Sequence, residues 1–195
     1  MPRKRDTRTE GRILEAAYRL WRRGGERALT MRAVARAAKT TTPTLYARFR
    51  DKTCLLELVR AQARENCVRY LEAAVTPVET CRRMLEFAQD HPNEYRLLTA
   101  DWAVRLSRQE RKPAFELIKR RLAEELGGAP EQYTQLGIAL GQILHGAACM
   151  ILGKAVPETM AKELIVVCMH SCGALIEHAG AKPGKWKAPA PSPVR

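Results

Sequence analysis

The sequence predicts an all-α protein: an N-terminal three-helix domain carrying a helix-turn-helix, followed by a larger helical domain. Three observations carry this. Apolar residues recur at intervals of three and four, the spacing of one helix face. No stretch alternates with period two, and no Asn-Gly or Asp-Gly pair offers a hairpin turn. Capping residues and glycines punctuate the periodic stretches at helix-length intervals. The 195 residues are 46% hydrophobic and 28% charged, a composition with enough apolar side chain for a core and enough charge for a solvated surface.

Each element has a local reason. Thr7-Arg-Thr-Glu10 reads as a capping box, and the helix after it sets Ile13, Leu14, Ala17, Leu20 and Trp21 on one stripe. Gly24-Gly25 should stop it, because glycine tolerates the geometry of a helix end. Thr30 caps a short second helix to Ala38, with Met31, Val34, Ala35 and Ala38 inward. After a turn at Lys39 to Thr41, a third helix runs from Thr42 to Phe49, with Pro43 in its first turn and Leu45 and Phe49 inward. Asp51 caps a long helix to about Ala74. Thr76-Pro-Val-Glu79 is a second capping box, for a helix ending near Asp90. His91-Pro92 breaks the chain before a helix to Leu106. Ser107-Arg-Gln-Glu110 opens a helix that ends at Gly127-Gly128. Two apolar helices follow, Pro130 to Lys154 and Pro157 to His178. The expected organisation is a basic arm over 1–9, the helix-turn-helix domain over 10–58, an effector-binding and dimerisation domain over 59–179, and a disordered basic, proline-rich tail over 180–195.

Charge is segregated along this order. Residues 1–60 hold 16 Lys+Arg and 6 Asp+Glu, residues 61–180 hold 14 and 15, and the last fifteen hold 4 and none. Solubility does not require such segregation; a positive end suits a polyanion. The N-terminus MPRKRDTR has no apolar stretch after its charges, so no signal peptide is expected, and the six cysteines are read as reduced thiols of a cytoplasmic protein. No Cys/His set has zinc-site spacing, so no metal is expected. No uninterrupted run of eighteen apolar residues occurs, so no membrane helix is expected either. Gln142, His145 and three glycines interrupt the longest candidate, Leu136 to Leu152.

Two short helices joined by a tight turn are the spacing of a helix-turn-helix, whose second helix enters the major groove. Thr41, Thr42, Thr44 and Arg48 point away from the Leu45/Phe49 face, with Pro43 and Ala47 among them. Threonine hydroxyls and methyls suit phosphates, base edges and thymine, and Arg48 suits guanine or phosphate. Thr30 and Arg32, at the start of the second helix, and Lys52, at the start of the fourth, are placed for phosphates. Tyr46 could pack on the core or reach a phosphate with its hydroxyl. Arg3, Lys4, Arg5 and Arg8 form an arm that either touches DNA or stays solvated.

The stretch Arg12-Ile-Leu-Glu-Ala-Ala to Trp21, then Gly25, then Leu29-Thr-Met-Arg-Ala-Val-Ala-Arg-Ala-Ala38, then Thr44-Leu-Tyr-Ala-Arg-Phe49, Asp51-Lys52 and Leu55-Leu56, closely resembles the DNA-binding domain of tetracycline-repressor-like (TetR) regulators. The Thr-Leu-Tyr-x-x-Phe segment with its following lysine is the most specific part. The resemblance implies that Thr30, Thr41, Thr42, Thr44, Tyr46 and Lys52 match positions that usually touch DNA. Two departures fall on groove-facing positions: Lys39-Thr40-Thr41 where the family often has Gly-Val-Ser/Thr, and Ala47-Arg48 where it often has His or Tyr.

For the larger domain the resemblance implies effector binding and a homodimer on a palindromic operator. Met84, Phe87, Tyr95, Trp102, Phe115, His145 and Cys149 are its candidate ligand residues, and their apolar character suggests an apolar or aromatic effector. Gly141, Leu144, Ile151, Leu164, Val167 and Leu175 are candidates for a shared four-helix interface. No catalytic or cofactor string occurs, so an enzyme is not expected. The alternatives are an all-helical carrier or enzyme without a DNA role, and a regulator switched by oxidation of Cys149, Cys168 or Cys172.

Overall fold

The structure, a computed structural model, describes residues 7–100 and 112–181. In chain order the described helices are α1 (Thr7–Ala28), α2 (Met31–Ala37), α3 (Thr42–Tyr46), α4 (Lys52–Glu72), α5 (Pro77–Asp90), α6 (Pro92–Thr99), α7 (Pro113–Leu126), α8 (Thr134–Leu152) and α9 (Glu158–Ala181). A 3-10 turn, Pro130–Tyr133, precedes α8, and no strand occurs among the described residues. The residues divide into two compact units, each discontinuous in sequence: 7–67 with 90–100, and 68–89 with 112–181. The expected boundary at residue 58 falls inside the continuous helix α4. Several expectations lie outside the described residues: the arm residues Arg3, Lys4 and Arg5, the Ser107–Glu110 box, Trp102 and the tail beyond 181.

In the first unit, α1 buries Ile13, Ala16, Ala17 and Trp21 along one stripe. Gly25 (φ 59°, ψ −145°) breaks the helical backbone, as expected of a glycine stop, and a separate last turn continues to Ala28 across the kink. A Cβ at Gly25 would need that positive φ and would stand 3.1 Å from Asn93 Oδ1, so glycine suits the position twice over. Thr30 Oγ1 accepts the Ala33 N–H at 3.2 Å and caps α2. Helix α2 ends in a complete Schellman arrangement: Thr40 N–H donates to Ala35 O at 2.9 Å and Lys39 N–H to Arg36 O at 3.2 Å. Lys39 occupies its left-handed position at φ 52°.

Thr41 Oγ1 accepts the Thr44 N–H at 3.2 Å and starts α3. That helix stops at Tyr46, three residues before the expected Phe49. Arg48 and Phe49 N–H both turn onto Leu45 O, at 3.0 and 2.9 Å, tightening the last turn until it closes. Asp51 Oδ1 accepts the Cys54 N–H at 2.8 Å and caps α4 as expected. Val34, Leu45, Leu55, Val59 and Leu97 complete the core with the α1 stripe. Each fully buried aliphatic side chain contributes about 1.5–3 kcal/mol, against about 0–1 kcal/mol for an exposed ion pair such as Arg19–Glu15, so apolar packing holds this unit.

Leu97 belongs to α6, which packs on α1. The sequence suggested a helix to Leu106; α6 stops at Thr99, and Ala100 takes an extended backbone (φ −61°, ψ 142°).

In the second unit, Thr76 Oγ1 accepts the Glu79 N–H at 3.1 Å and Glu79 Oε2 accepts the Val75 N–H at 2.9 Å. The carboxylate thus reaches back one residue beyond the cap. That hydrogen bond, helped by the charges of Arg82 and Arg83, holds the Glu79 carboxyl below its usual range. Helix α7 ends at Gly127, and Tyr133 donates its hydroxyl to Gly127 O at 2.6 Å. One face of α8 buries Leu136, Leu140, Leu144, Ala147 and Ala148, and α9 buries Cys168, Cys172, Ile176 and Ala179. The other faces leave Ile138, Met150, Met160, Val166 and Val167 exposed. Residues 130–152 and 158–180, with mean hydropathies of 1.5 and 1.4, are long and apolar enough to cross a membrane by length and composition. They pass although no uninterrupted apolar run of that length occurs, because scattered polar residues interrupt a run but barely lower a window's average. Helices with one buried apolar face and a second outward one meet the same test in a protein core.

Candidate nucleic-acid interface

The turn between α2 and α3 places a polar face over a small apolar core. Leu45 and Phe49 go inward, at 0% and 5% exposure. Thr41, Pro43, Tyr46 and Ala47 are exposed, and Thr42 and Thr44 are half-buried. Of the two readings of Tyr46, the structure gives the outward one: the residue is 52% exposed. Thr41 and Thr44 hydroxyls lie 2.8 Å apart, so the cap and the candidate DNA contact are the same atoms.

Beside this face, Thr30, Arg32, Ala33 and Arg36 line a concavity of about 310 Å³. Arg32 and Arg36 are one helical turn apart and both exposed, so α2 presents two cations together. Arg36 and Arg50 are exposed cations of this region that the sequence reading did not include, and Lys39, which it placed in the turn, is exposed as well. The i, i+4 spacing of Arg32 and Arg36 was a usable signal. Lys52 Nζ lies 3.6 Å from Glu26 Oε1, both side chains well exposed.

Arg48 departs from expectation. Its side chain is 21% exposed and its Nη1 lies 3.4 Å from Glu10 Oε1 on α1.

Tyr95 is buried in the first unit, whereas Met84, Phe87, Phe115, His145 and Cys149 are in the second. Phe87 is fully buried and meets Tyr70 edge-on, with ring centroids 5.6 Å apart, which makes it a packing residue. Phe115 lies against Gly137, where a Cβ would approach the ring to 2.9 Å, and Lys119 Nζ is 5.4 Å from its centroid. Cys149 is exposed, its Sγ 3.5 Å from His145 Nε2.

Of the expected interface residues, Gly141 and Val167 are exposed and Ile151, Leu164 and Leu175 are half-buried. Leu144 is corrected: at 7% exposure it lies in its own subunit's core, on the stripe of Leu136 and Leu140.

The structure adds Cys81 to Cys168 and Cys172. Hydrogen bonding to Cys172 and burial push the Cys81 thiol up; burial, with Cys172, raises Cys168 to about 11; Cys172 is lowered as the acceptor of both. Among the described residues, no group of three or more Cys, His, Asp or Glu is placed to hold a metal ion.

A capped helix-turn-helix with an exposed polar reading face and flanking arginines, followed by a helical second unit, defines a helix-turn-helix transcription regulator. Two family profiles match the chain, "Bacterial regulatory proteins, tetR family" over residues 13–59 and "Tetracyclin repressor-like, C-terminal domain" over residues 78–165. The chain belongs to the TetR family of transcriptional regulators. Solved structures share the fold. The regulator SCO7222, a TetR from Streptomyces coelicolor, matches at TM-score 0.62 and 20% identity, covering 87% of this chain and 96% of that one. A single-residue variant of TetR from Acinetobacter baumannii AYE, solved in complex with minocycline, matches at 0.61 and 18%, covering 88% and 96%. The multidrug binding protein EbrR, solved with imidazole, matches at 0.57 and 22%, covering 98% and 96%. Among curated protein sequences, none matches significantly.

Proposed function

We propose that this chain is a cytoplasmic repressor that binds a palindromic operator as a homodimer and is released by a small apolar or aromatic molecule. The observation that carries the DNA reading is the α3 face: Thr41, Pro43, Thr44, Tyr46 and Ala47 stand over Leu45 and Phe49, with Arg32, Arg36 and Lys52 on the flanking helices. Hydroxyls and methyls read base edges, and the cations hold phosphates. The dimer is supported by α8 and α9, whose outward faces carry Ile138, Met150, Met160, Val166 and Val167. Apolar side chains in such number on adjacent helices suit a covering partner, and twofold symmetry makes the same face serve both copies. The effector reading is supported by two proteins of this fold solved with small molecules, minocycline in one and imidazole in the other.

Selection of bound duplexes from a random pool tests the reading, followed by screening aromatic and apolar compounds for release of the selected duplex. Enrichment of an inverted repeat and release by at least one compound are the expected results. Equal retention of all duplexes at physiological salt would overturn sequence-specific reading.

A further inference from the structure

One turn apart on α8, His145 and Cys149 form a nitrogen–sulfur pair: Cys149 Sγ lies 3.5 Å from Nε2 of the imidazole and 3.9 Å from its Nδ1. The thiol is exposed and the imidazole half-buried. That separation is a chelating one. A tetrahedral zinc-class ion binds imidazole nitrogen at about 2.0–2.1 Å and thiolate sulfur at about 2.3 Å, which sets two such donors about 3.5–3.6 Å apart. Residues at i and i+4 share one side of a helix, so both donors are offered together by the backbone as it stands. The pair supplies two of the four ligands that such an ion takes. Among the described residues, no third Cys, His, Asp or Glu stands with it to hold a metal ion.

The rest of the helix face points to the source of the other two ligands. Ile138, Gln142, His145 and Cys149 recur along the side of α8 opposite to the buried Leu136, Leu140, Leu144 and Ala147. Exposed apolar residues, Ile138 and Met150, stand at the two ends of this side, and its middle holds His145, Cys149, Gly141 and Gly146. A Cβ at either glycine would stand in open space, so a neighbouring helix can come close to the backbone here. Polar donors at the middle of an apolar face are costly to cover unless the covering surface satisfies them. A twofold axis at this point brings a second copy of the same pair, since residues beside such an axis meet their own counterparts.

We infer that α8 carries half of a metal site: His145 and Cys149 of two copies together hold one zinc-class ion in a tetrahedral set of two nitrogens and two sulfurs. The inference rests on the homodimer proposed above and deepens it, because the ion joins the two α8 helices across the axis. Each sulfur binds as thiolate and gives its proton to solvent, so binding strengthens as pH rises. An ion that binds only the paired form favours pairing by mass action. The dimer dissociation constant falls about tenfold when the free ion stands at about ten times its own dissociation constant. Ligand spacing within one chain does not reveal such a site, because each chain provides only two donors.

Cobalt(II) is the probe, because a tetrahedral cobalt thiolate absorbs far more strongly in the visible than the hydrated ion. The full chain, kept reduced and free of chelators, is titrated with cobalt and followed by absorption and by sedimentation equilibrium. A sulfur-to-cobalt charge-transfer band should saturate at one ion per two chains and disappear when zinc is added. Cys149→Ser and His145→Ala should each lose the band while keeping helical content. Cys54→Ser, which removes the other exposed thiol, should keep it. Saturation at one ion per chain, or a band that survives either Cys149→Ser or His145→Ala, would overturn the inference. So would absence of the band from a chain that sediments as a dimer, and the dimer reading would then stand. A chain that is monomeric with and without cobalt would sink the dimer reading and the shared site with it. A chain that pairs only when cobalt is present would support the site and make the ion the source of the pairing.

Discussion

The guanidinium of Arg48 lies 3.4 Å from the Glu10 carboxylate, so the arginine that follows α3 is tied to the first turns of α1. An acidic group beside a DNA-facing helix repels phosphate and competes for the cation. Glu10→Gln should therefore tighten duplex binding, by about two- to fivefold at low salt, with the gain shrinking as salt rises. Fluorescence anisotropy across a salt series checks this. Weaker binding by the variant would mean that Glu10 positions Arg48 rather than restraining it.

Lys52 pairs with Glu26 at 3.6 Å, and both side chains are exposed. Such a pair contributes about 0–1 kcal/mol, too little to keep the ammonium from a phosphate. Lys52→Ala should weaken binding to all duplexes alike and lower the slope of log K against log salt by about 0.9, one phosphate contact. A variant that changed sequence preference would place Lys52 against bases.

Lys39 stands at φ 52° where a Schellman turn favours glycine. Lys39→Gly should raise stability to urea by roughly 0.5–1 kcal/mol, because relief of left-handed strain exceeds the added freedom of the unfolded chain. A fall in the urea midpoint would show that the lysine side chain itself stabilises the turn.

Cys67 and Cys54 lie on the same helix in opposite environments, the first buried and the second exposed. Burial, with the negative charge of Glu94, raises the Cys67 thiol from its ordinary 9.0 to about 12. Iodoacetamide at pH 8 should label Cys54 promptly and leave Cys67 unmodified until the protein unfolds. The linkage has a definite sign. A raised folded value means the stabilising contribution is complete below about 9 and is lost as pH rises toward 12, since only the unfolded thiol ionises in that window. Urea midpoints of the unaltered chain should accordingly fall more steeply over this range than those of Cys67→Ala.

Val167 is 61% exposed on α9, so Val167→Asp should leave the subunit folded while shifting sedimentation equilibrium from dimer to monomer, weakening association by about 100-fold. An unchanged dimer would move the interface off this face.

The caps at Thr30, Thr41, Asp51 and Thr76 were legible because each is decided by residues within three or four positions. The ends of α3 and α6 were not. Their apolar spacing continues past Tyr46 and Thr99, and the backbone leaves the helix for reasons that spacing does not encode. The outward threonines and Tyr46 were readable from the Leu45/Phe49 pair, whereas the turn of Arg48 onto Glu10 joins residues 38 positions apart. Glu94 was invisible for the same reason. As a sequence feature it is one acidic residue in a helix start, and only the meeting of α1, α4 and α6 buries it.

The chain passes between its two units three times, at about residues 67 and 90 and again between residues 100 and 112. An excised segment ending near residue 60 would therefore lack Leu97, which closes its core, and Glu94, which grips its first helix. During synthesis, the DNA-reading half must wait for roughly forty further residues to emerge before its last helix can dock. A nascent or truncated chain of this protein should thus bind duplex DNA poorly, because the core beneath its reading face is incomplete.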